Sequence, residues 1–451
     1  MSSTLQGLPG TGRFARGVHP PGRKSLADEE AIEVVPPPAQ VVIPLLQHTG
    51  APCHPLVKTK QEVTAGEMIG DSEAFISAPV HTPVSGVVQR DSVTTLPNGR
   101  HVKTVPIKTG GDQRSGEALW NHIYGGDWPT DGADRHDPQE IVNAVRRAGL
   151  VGLGGAAFPT HVKLKRNDAK PVDTLLVNGC ECEPYLTSDY RLMLEAPRPI
   201  IAGALLAAHA CGATRIVIAV EDNKLPAAEK LRDAAAGSDV TVTVVKTKYP
   251  MGGERQVVPA TLKREVPTGG LPLDVGVVVI NVGTAAAVAG AVLRGRPLTH
   301  RVVAVTGAGI ARPKNLLVPV GIRYGELIDY CGGLTGDAAR VIAGGPMMGF
   351  ALGSLDVPVT KGTSGVVVLT HEDVAKAVET HCVRCGRCVD VCPLHLVPTK
   401  MALAAKGRDW ELARRYYLTA CCECGCCAYA CPASIPLVQL IRVGKAQMPK
   451  E

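Results

Sequence analysis

Aromatic side chains are scarce: Phe, Trp and Tyr make up 4% of the 451 residues, and only 4 are phenylalanine. A chain of this length exceeds one ordinary core, and so little aromatic volume excludes one large aromatic interior. The 49 glycines and 35 prolines point instead to several small, turn-rich modules. Charge of one sign is also modest. With 48 basic and 42 acidic residues the net charge is +6, and no long basic run marks a nucleic-acid surface. The opening residues MSSTLQGLPGTGRF hold no apolar stretch of the secretory kind. Clustered cysteines in a chain without such a signal suit thiolate ligands better than disulfides.

Long apolar runs are nearly missing too. VGVVVINVGTAAAVAGAVL (275–293) is long enough to raise the question of a membrane span. It divides into a β-branched strand over 277–280, a turn over 281–284 and an Ala-rich helix over 285–293. No aromatic belt flanks it. Strand, turn and helix is the reading, and the chain is expected to be soluble or peripheral.

Residues 1–35 are rich in Gly, Pro and charge and are expected to form an extended arm. Over 36–115, short β-branched runs broken by Pro and Gly predict a compact β module. Its APVHTPVSGVVQRDSV segment (78–93) resembles the barrel-sandwich domains of biotinyl and lipoyl carriers, but APVHTPVSG contains no lysine to modify. Over 116–299, helical patterns such as PQEIVNAVRRAGL alternate with strands such as DTLLVNG, TRIVIAV and VTVTVVKT. That alternation predicts a parallel α/β sheet. Shorter elements over 300–358 fit a small α+β module. Residues 359–451 read as a linker followed by a helical, cysteine-rich domain.

What is abundant is cysteine, and it is concentrated. CVRCGRCVDVCP (382–393) and CCECGCCAYACP (421–432) hold ten of the 15 cysteines. The first has the spacing of bacterial ferredoxins, in which three close thiolates hold one 4Fe–4S cluster and the fourth, before proline, reaches the other. Counting back from Cys431 by the same steps gives Cys421, Cys424 and Cys427 in the second run, and leaves out Cys422 and Cys426. Ligation is therefore expected to cross. Cys382, Cys385, Cys388 and Cys431 would hold one cluster, and Cys421, Cys424, Cys427 and Cys392 the other. Zinc, the main rival for Cys-x2-Cys pairs, accounts poorly for two complete runs that both end in Cys-Pro. The dispersed Cys53, Cys180, Cys182, Cys211 and Cys331 read as small buried hydrophobes.

A pair of clusters needs an electron donor, and four polar loops supply a candidate site. In GLVGLGGAAFPTHVKL (149–164), Gly152, Gly154 and Gly155 would let backbone approach a flat ring or a phosphate, with Lys163 on the same segment. In VNGCECEPYLTSDYR (177–191), a strand ending near Asn178 releases Glu181 and Glu183, where α/β folds bind ligands. YPMGGERQ (249–256) brings Gly253 and Glu254. The fourth loop runs from Asn281 to Thr284.

Together with GVHPPGRKS and GGPMMG, these segments resemble, in order and over nearly the whole chain, the RnfC family of the Rnf electron transport complexes. The middle is also similar to the NADH-oxidising flavin subunit of respiratory complex I. That subunit has arginine where Leu153 stands here, and aspartate where Cys180 stands. The resemblance implies a non-covalent FMN at Gly152, Gly154, Gly155, Lys163, Asn178, Asn281 and Thr284. Glu183, Gly253 and Glu254 would lie nearer NADH. It implies a β-grasp fold for 300–358. It also implies a peripheral subunit on the cytoplasmic face of the bacterial inner membrane, working with the other Rnf subunits. Electrons would pass from NADH through FMN and two 4Fe–4S clusters toward ferredoxin or flavodoxin, or in reverse. Two other readings compete: a soluble flavin and iron–sulfur reductase related to corrinoid reductases, and a non-enzymatic iron–sulfur relay.

Overall fold

The computed structural model describes residues 8–374 and 378–449. Its centre is a four-stranded parallel sheet. Val240–Val245, Arg215–Glu221, Thr174–Gly179 and Val277–Asn281 lie side by side in that order. These strands are near-continuous runs of Val, Ile and Leu because helices cover the sheet and both faces are buried. A further helix, Pro138–Arg147, packs on the covering helices Pro197–Cys211 and Val282–Arg294 and starts where the Asp137 carboxylate accepts from the Gln139 and Glu140 amides, with Pro138 in its first turn. It buries Ile141, Val142 and Val145.

The uncharged stretch over 275–293 does not cross a membrane in this fold. It supplies the strand Val277–Asn281 and the helix Val282–Arg294. Among the described residues no helix is long and apolar enough to span. No separate turn intervenes at 281–284. Asn281 ends the strand and caps the helix, its side-chain oxygen accepting from the Gly283 and Thr284 amides. Helix Pro197–Cys211 packs tightly on Val282–Arg294, a closeness that small residues permit. A Cβ on Gly203 would sit 1.7 Å from the Ala285 carbonyl oxygen.

The N-terminal β module has two small antiparallel sheets. One is built around the long strand His101–Thr109, and the other is Met68–Asp71 between His54–Pro55 and Val80–His81. Val41, Ile43, Ile69, Val80 and Ile107 fill the space between them. The β-grasp sheet runs Ile32–Val34, Lys314–Pro319, His300–Thr306, Gly365–Thr370, Ala338–Ala343 and Phe350–Ala351. Two strands depart from the expected boundaries. Gly365–Thr370, assigned to the linker beyond 358, is a central strand, because Val366, Val367 and Val368 are fully buried. Ile32–Val34, assigned to the arm, pairs in parallel with 315–317.

The arm is packed rather than free. Gly10 and Gly12 amides donate to Thr261 and Ala260, Val18 and Tyr249 exchange two backbone bonds, and the Gly17 amide donates to Val391. Beyond the β-grasp sheet, helices Pro398–Gly407 and Leu437–Gln447 pack closely, with Gly444 against Ala405.

Gly203→Ala gains intrinsic helix propensity but drives a methyl into a carbonyl. The clash should win, costing about 1–3 kcal/mol. A thermal melt should show a lower midpoint for the variant, and an unchanged or higher midpoint would mean the two helices can separate freely.

Candidate functional site

Numbered by chain order, the four parallel strands lie across the sheet as third, second, first, fourth. The order therefore reverses between Thr174–Gly179 and Val277–Asn281. At such a reversal the loops leave in opposite directions and open a crevice beyond the strand ends. Asn178 and Asn281 are register partners at that point. The Asn178 side chain donates to the Gly252 carbonyl at 2.7 Å and accepts from the Cys180 amide. The Asn281 amide donates to Asp189 at 2.6 Å. The structure thus brings three of the four predicted loops together through two asparagines.

The glycine loop closes the same crevice. The Gly152 amide donates to the Phe158 carbonyl, and Val151 bridges Pro159. Both backbone groups of Leu153 are fixed: its amide donates to the Thr284 hydroxyl at 2.9 Å, and its carbonyl accepts from buried Arg301 at 3.0 Å. The next residues face outward. A Cβ on Gly154 would meet Asn281 at 3.5 Å, and one on Gly155, whose φ is +105°, would meet nothing within 4 Å. Bare backbone with open space above it suits a flat ring or a phosphate. Lys163 does not point to solvent alone. Its ammonium pairs with Glu254 at 2.6 Å and donates to the Val279 carbonyl at 3.0 Å.

The two acidic residues of the second loop are engaged inside the protein. Glu181, at φ +46°, caps helix Ser188–Glu195, accepting from the Asp189 and Tyr190 amides and the Ser188 hydroxyl. Glu183 accepts from the Met347 and Met348 amides at 3.1 and 2.8 Å. Burial raises its pKa to about 7 against those donors. Burial, and then the Glu181 charge, raises Asp189 to about 7 as well. Lys24 of the arm donates to the carbonyls of Glu181, Glu183 and Leu186. Burial, then Lys224, lowers its pKa to about 8. Sequence reasoning missed Lys24, Asp189 and Arg301. Lys24 lies in the GVHPPGRKS segment of the arm and Asp189 in the second loop, so both had a local signal. Arg301 has none, because it reaches Leu153 across 148 residues.

The two cysteine runs share one backbone geometry. Left-handed residues occur at Arg384, Gly386 and His395 in the first, and at Glu423, Gly425 and Ser434 in the second. Each pair is separated by the same interval as Cys382 and Cys421. Helices Arg387–Asp390 and Cys426–Tyr429 repeat at that interval too. In this register Cys422 and Cys426 correspond to Val383 and Arg387, which cannot supply thiolates.

Cys392, Cys421, Cys424 and Cys427 line one cavity, together with Cys422 and Cys426. Burial raises the Cys427 thiol to about 12, with Cys421 and Cys392 adding to it. Burial also raises the Cys388 thiol, with Cys431 adding to it. Among the described residues no group of three or more His, Cys, Asp or Glu is arranged to hold a single metal ion. Cys382 and Cys385 are exposed, whereas Cys388, Cys392, Cys424 and Cys427 are buried.

Much of the chain matches known proteins. Residues 12–112 match the RnfC barrel sandwich hybrid domain, 145–290 the Nuo51 FMN-binding domain, and 302–351 the SLBB domain. The chain is 41% identical, over 96% of its length and 93% of the relative's, to a subunit of the proton-translocating ferredoxin:NAD(+) oxidoreductase complex of Clostridium ljungdahlii. The chain belongs to the RnfC family. Another RnfC relative is a subunit of the Na(+)-translocating ferredoxin:NAD(+) oxidoreductase complex of Acetobacterium woodii, 41% identical over 97% of both chains. A third belongs to the ion-translocating oxidoreductase complex of Rhodobacter capsulatus, 40% identical over 96% of this chain and 82% of the relative. In fold, the RnfC chain resembles a chain of an NAD+-reducing [NiFe]-hydrogenase. The TM-score is 0.50 at 24% identity, covering 72% of this chain and 64% of the other.

Glu183 yields a pH prediction. Folded Glu183 keeps its proton up to about pH 7, while an unfolded glutamate loses it near its ordinary value. Its stabilising contribution is therefore present below the unfolded pKa and lost as pH rises through about 7. The melting midpoint of the wild type, measured relative to Glu183→Gln, should fall between about pH 5 and about pH 8. A difference that stays flat over that range would show that Glu183 titrates normally.

Proposed function

We propose that this chain is the peripheral, NADH-oxidising subunit of an ion-translocating ferredoxin:NAD(+) oxidoreductase, holding FMN and two 4Fe–4S clusters. The observation that carries the reading is the in-register pair Asn178 and Asn281 at the sheet reversal, with the Gly154–Gly155 backbone open above it. A bound FMN would supply two-electron exchange with NADH, and two 4Fe–4S clusters would supply one-electron transfer.

The residues have distinct tasks in this reading. Gly152, Gly154 and Gly155 give backbone access to the flavin. Asn178, Asn281 and Thr284 hold the loops that surround it, and Lys163 supplies positive charge nearby. Glu183, Gly253 and Glu254 form the nucleotide side, and Glu181, the other acidic residue of that loop, caps helix Ser188–Glu195. Cys392, Cys421, Cys424 and Cys427 would hold one cluster, and the cavity they line supports that set. Cys382, Cys385, Cys388 and Cys431 would hold the other. The raised thiol pKa values mean that iron must displace protons as it binds. Cys424 of the Cys392 set packs with Tyr249 and Val18, whereas Cys382 and Cys385 of the other set are exposed. In this reading the former cluster would lie on the flavin side and the latter on the side of the membrane partners, whichever way electrons flow. Those partners couple the flow to an ion gradient, with ferredoxin or flavodoxin at the far end. The chain itself sits on the cytoplasmic face of the membrane.

Replacing Gly154 with leucine should block the flavin and lower FMN occupancy at least several-fold, while iron stays near the two-cluster level. Anaerobic purification with flavin and iron counts checks this, and full FMN retention would mean the crevice is misassigned.

Serine at both Cys422 and Cys426 should leave about eight irons per chain. Serine at Cys392 should remove the cluster of the second run and spare that of the first. Spectroscopy resolving the two clusters decides between crossed and uncrossed ligation, since uncrossed ligation requires the opposite loss.

A further inference from the structure

The contact between the α/β domain and the second cysteine run has an unusual centre. Tyr249 is buried, at 2% exposure. Its hydroxyl donates to the Cys424 carbonyl at 2.7 Å. Tyr249 is also among the groups that hold the Glu183 pKa below what burial alone would give. The ring packs with Val18, Cys424 and Cys426, and with partly buried Cys182, Met347, Val391 and Cys422. Its backbone is held on both sides by Val18, with the Val18 amide donating at 2.9 Å and the Val18 carbonyl accepting at 3.0 Å. Val18 in turn follows Gly17, whose amide donates to Val391, one residue before Cys392.

Two further routes leave Glu183 and end in the same place. Glu183 accepts from the Met347 amide, and the Met347 carbonyl abuts Gly425, where an added Cβ would sit 2.6 Å from its oxygen. Glu183 also accepts from the Met348 amide. The Met348 carbonyl accepts from Arg442, which pairs with Glu423 at 3.0 Å. Three contacts thus run from one carboxylate to residues 423–425. The hydroxyl route is distinct because it carries a single proton, which the Cys424 carbonyl takes at 2.7 Å. A proton so engaged cannot also serve the Glu183 carboxylate, whose pKa Tyr249 helps to lower, at full strength.

We propose that Tyr249 is a positioning residue that couples the Glu183 side of the crevice to the second cysteine run, its hydroxyl fixing the Cys424 carbonyl and, through it, the environment of the cluster bound there. This rests on the cluster assignment above. A donor aimed at a ligand's peptide group favours the more negative, reduced state of the cluster, since hydrogen bonding is one lever on cluster potential. A carboxylate that draws this proton away weakens that support. A nucleotide that engages Glu183 returns it. Occupancy of the crevice and the readiness of the cluster to accept an electron are linked in this way without any moving domain.

Tyr249→Phe keeps the ring and removes only the hydroxyl. In the iron-free chain, amide exchange over 421–427 should rise roughly fivefold, as expected for losing one buried hydrogen bond. In the loaded chain, flavin and iron counts should stay at wild-type values. The midpoint potential of the Cys392-set cluster should fall, and that of the Cys382-set cluster should not. A titration with NAD+ should shift the potential of the Cys392-set cluster in the wild type and not in the variant. Unchanged exchange and an unchanged potential in a fully loaded variant would overturn the role of Tyr249 while leaving the cluster assignment intact. A wild-type chain that takes up no iron under anaerobic reconstitution would overturn both.

Discussion

Everything in this molecule is arranged around the place where two parallel strands lie side by side while their outgoing loops part. Asn178 and Asn281 occupy that place as register partners, and each spends its amide on a different loop. Asn178 fixes 252, Asn281 fixes 189 and the start of the following helix, and Thr284 then fixes the glycine loop through Leu153. The crevice owes its shape to backbone groups held by short polar side chains. That is why so few bulky residues are needed to form it.

The buried charges around the crevice form a network with alternating signs. Lys224 pairs with Glu221 at 2.9 Å with both side chains almost fully enclosed, and it also donates to the Cys180 carbonyl. Lys24 sits across from them on three carbonyls of the 181–186 segment. Removing one member of such a set leaves an uncompensated charge in a poor solvent, which costs far more than the pair contributes. The segment carrying Glu181 and Glu183 is accordingly rigid, and its left-handed residues Glu181 and Tyr185 are held by these contacts.

Much of this was legible in the residues. The alternation of apolar runs and helical patterns predicts the parallel sheet, and the strand ends fall where Asn178 and Asn281 suggest. The cysteine spacing predicts a register that the repeated left-handed residues at 384/423, 386/425 and 395/434 support independently. What was not legible depended on distance along the chain. Gly365–Thr370 looks like a strand, yet nothing local says that it inserts between His300–Thr306 and Ala338–Ala343. Arg301 and Tyr249 act through partners more than a hundred residues away. Glu181 and Glu183 look like free acids, because the amides they accept from become available only after the helix and the 345–348 turn have formed.

The N-terminal arm has a consequence for how the chain comes into being. Arg16 donates to the Val389 carbonyl and Gly17 to that of Val391, across almost the whole length of the protein. Lys24 likewise finds its three carbonyls only when 181–186 has been made. A ribosome releases the arm first, but its binding surface is completed last. The arm can dock on 181–186, Tyr249 and 260–261 once the α/β domain has been made, but Arg16 and Gly17 must wait for residues 389–391 of the last module. The loop closed by those contacts is among the longest the chain can form, and such closures come late in folding. The contacts of Arg16 and Gly17 are thus a late latch of the fold, set only when the first cysteine run has already taken its place.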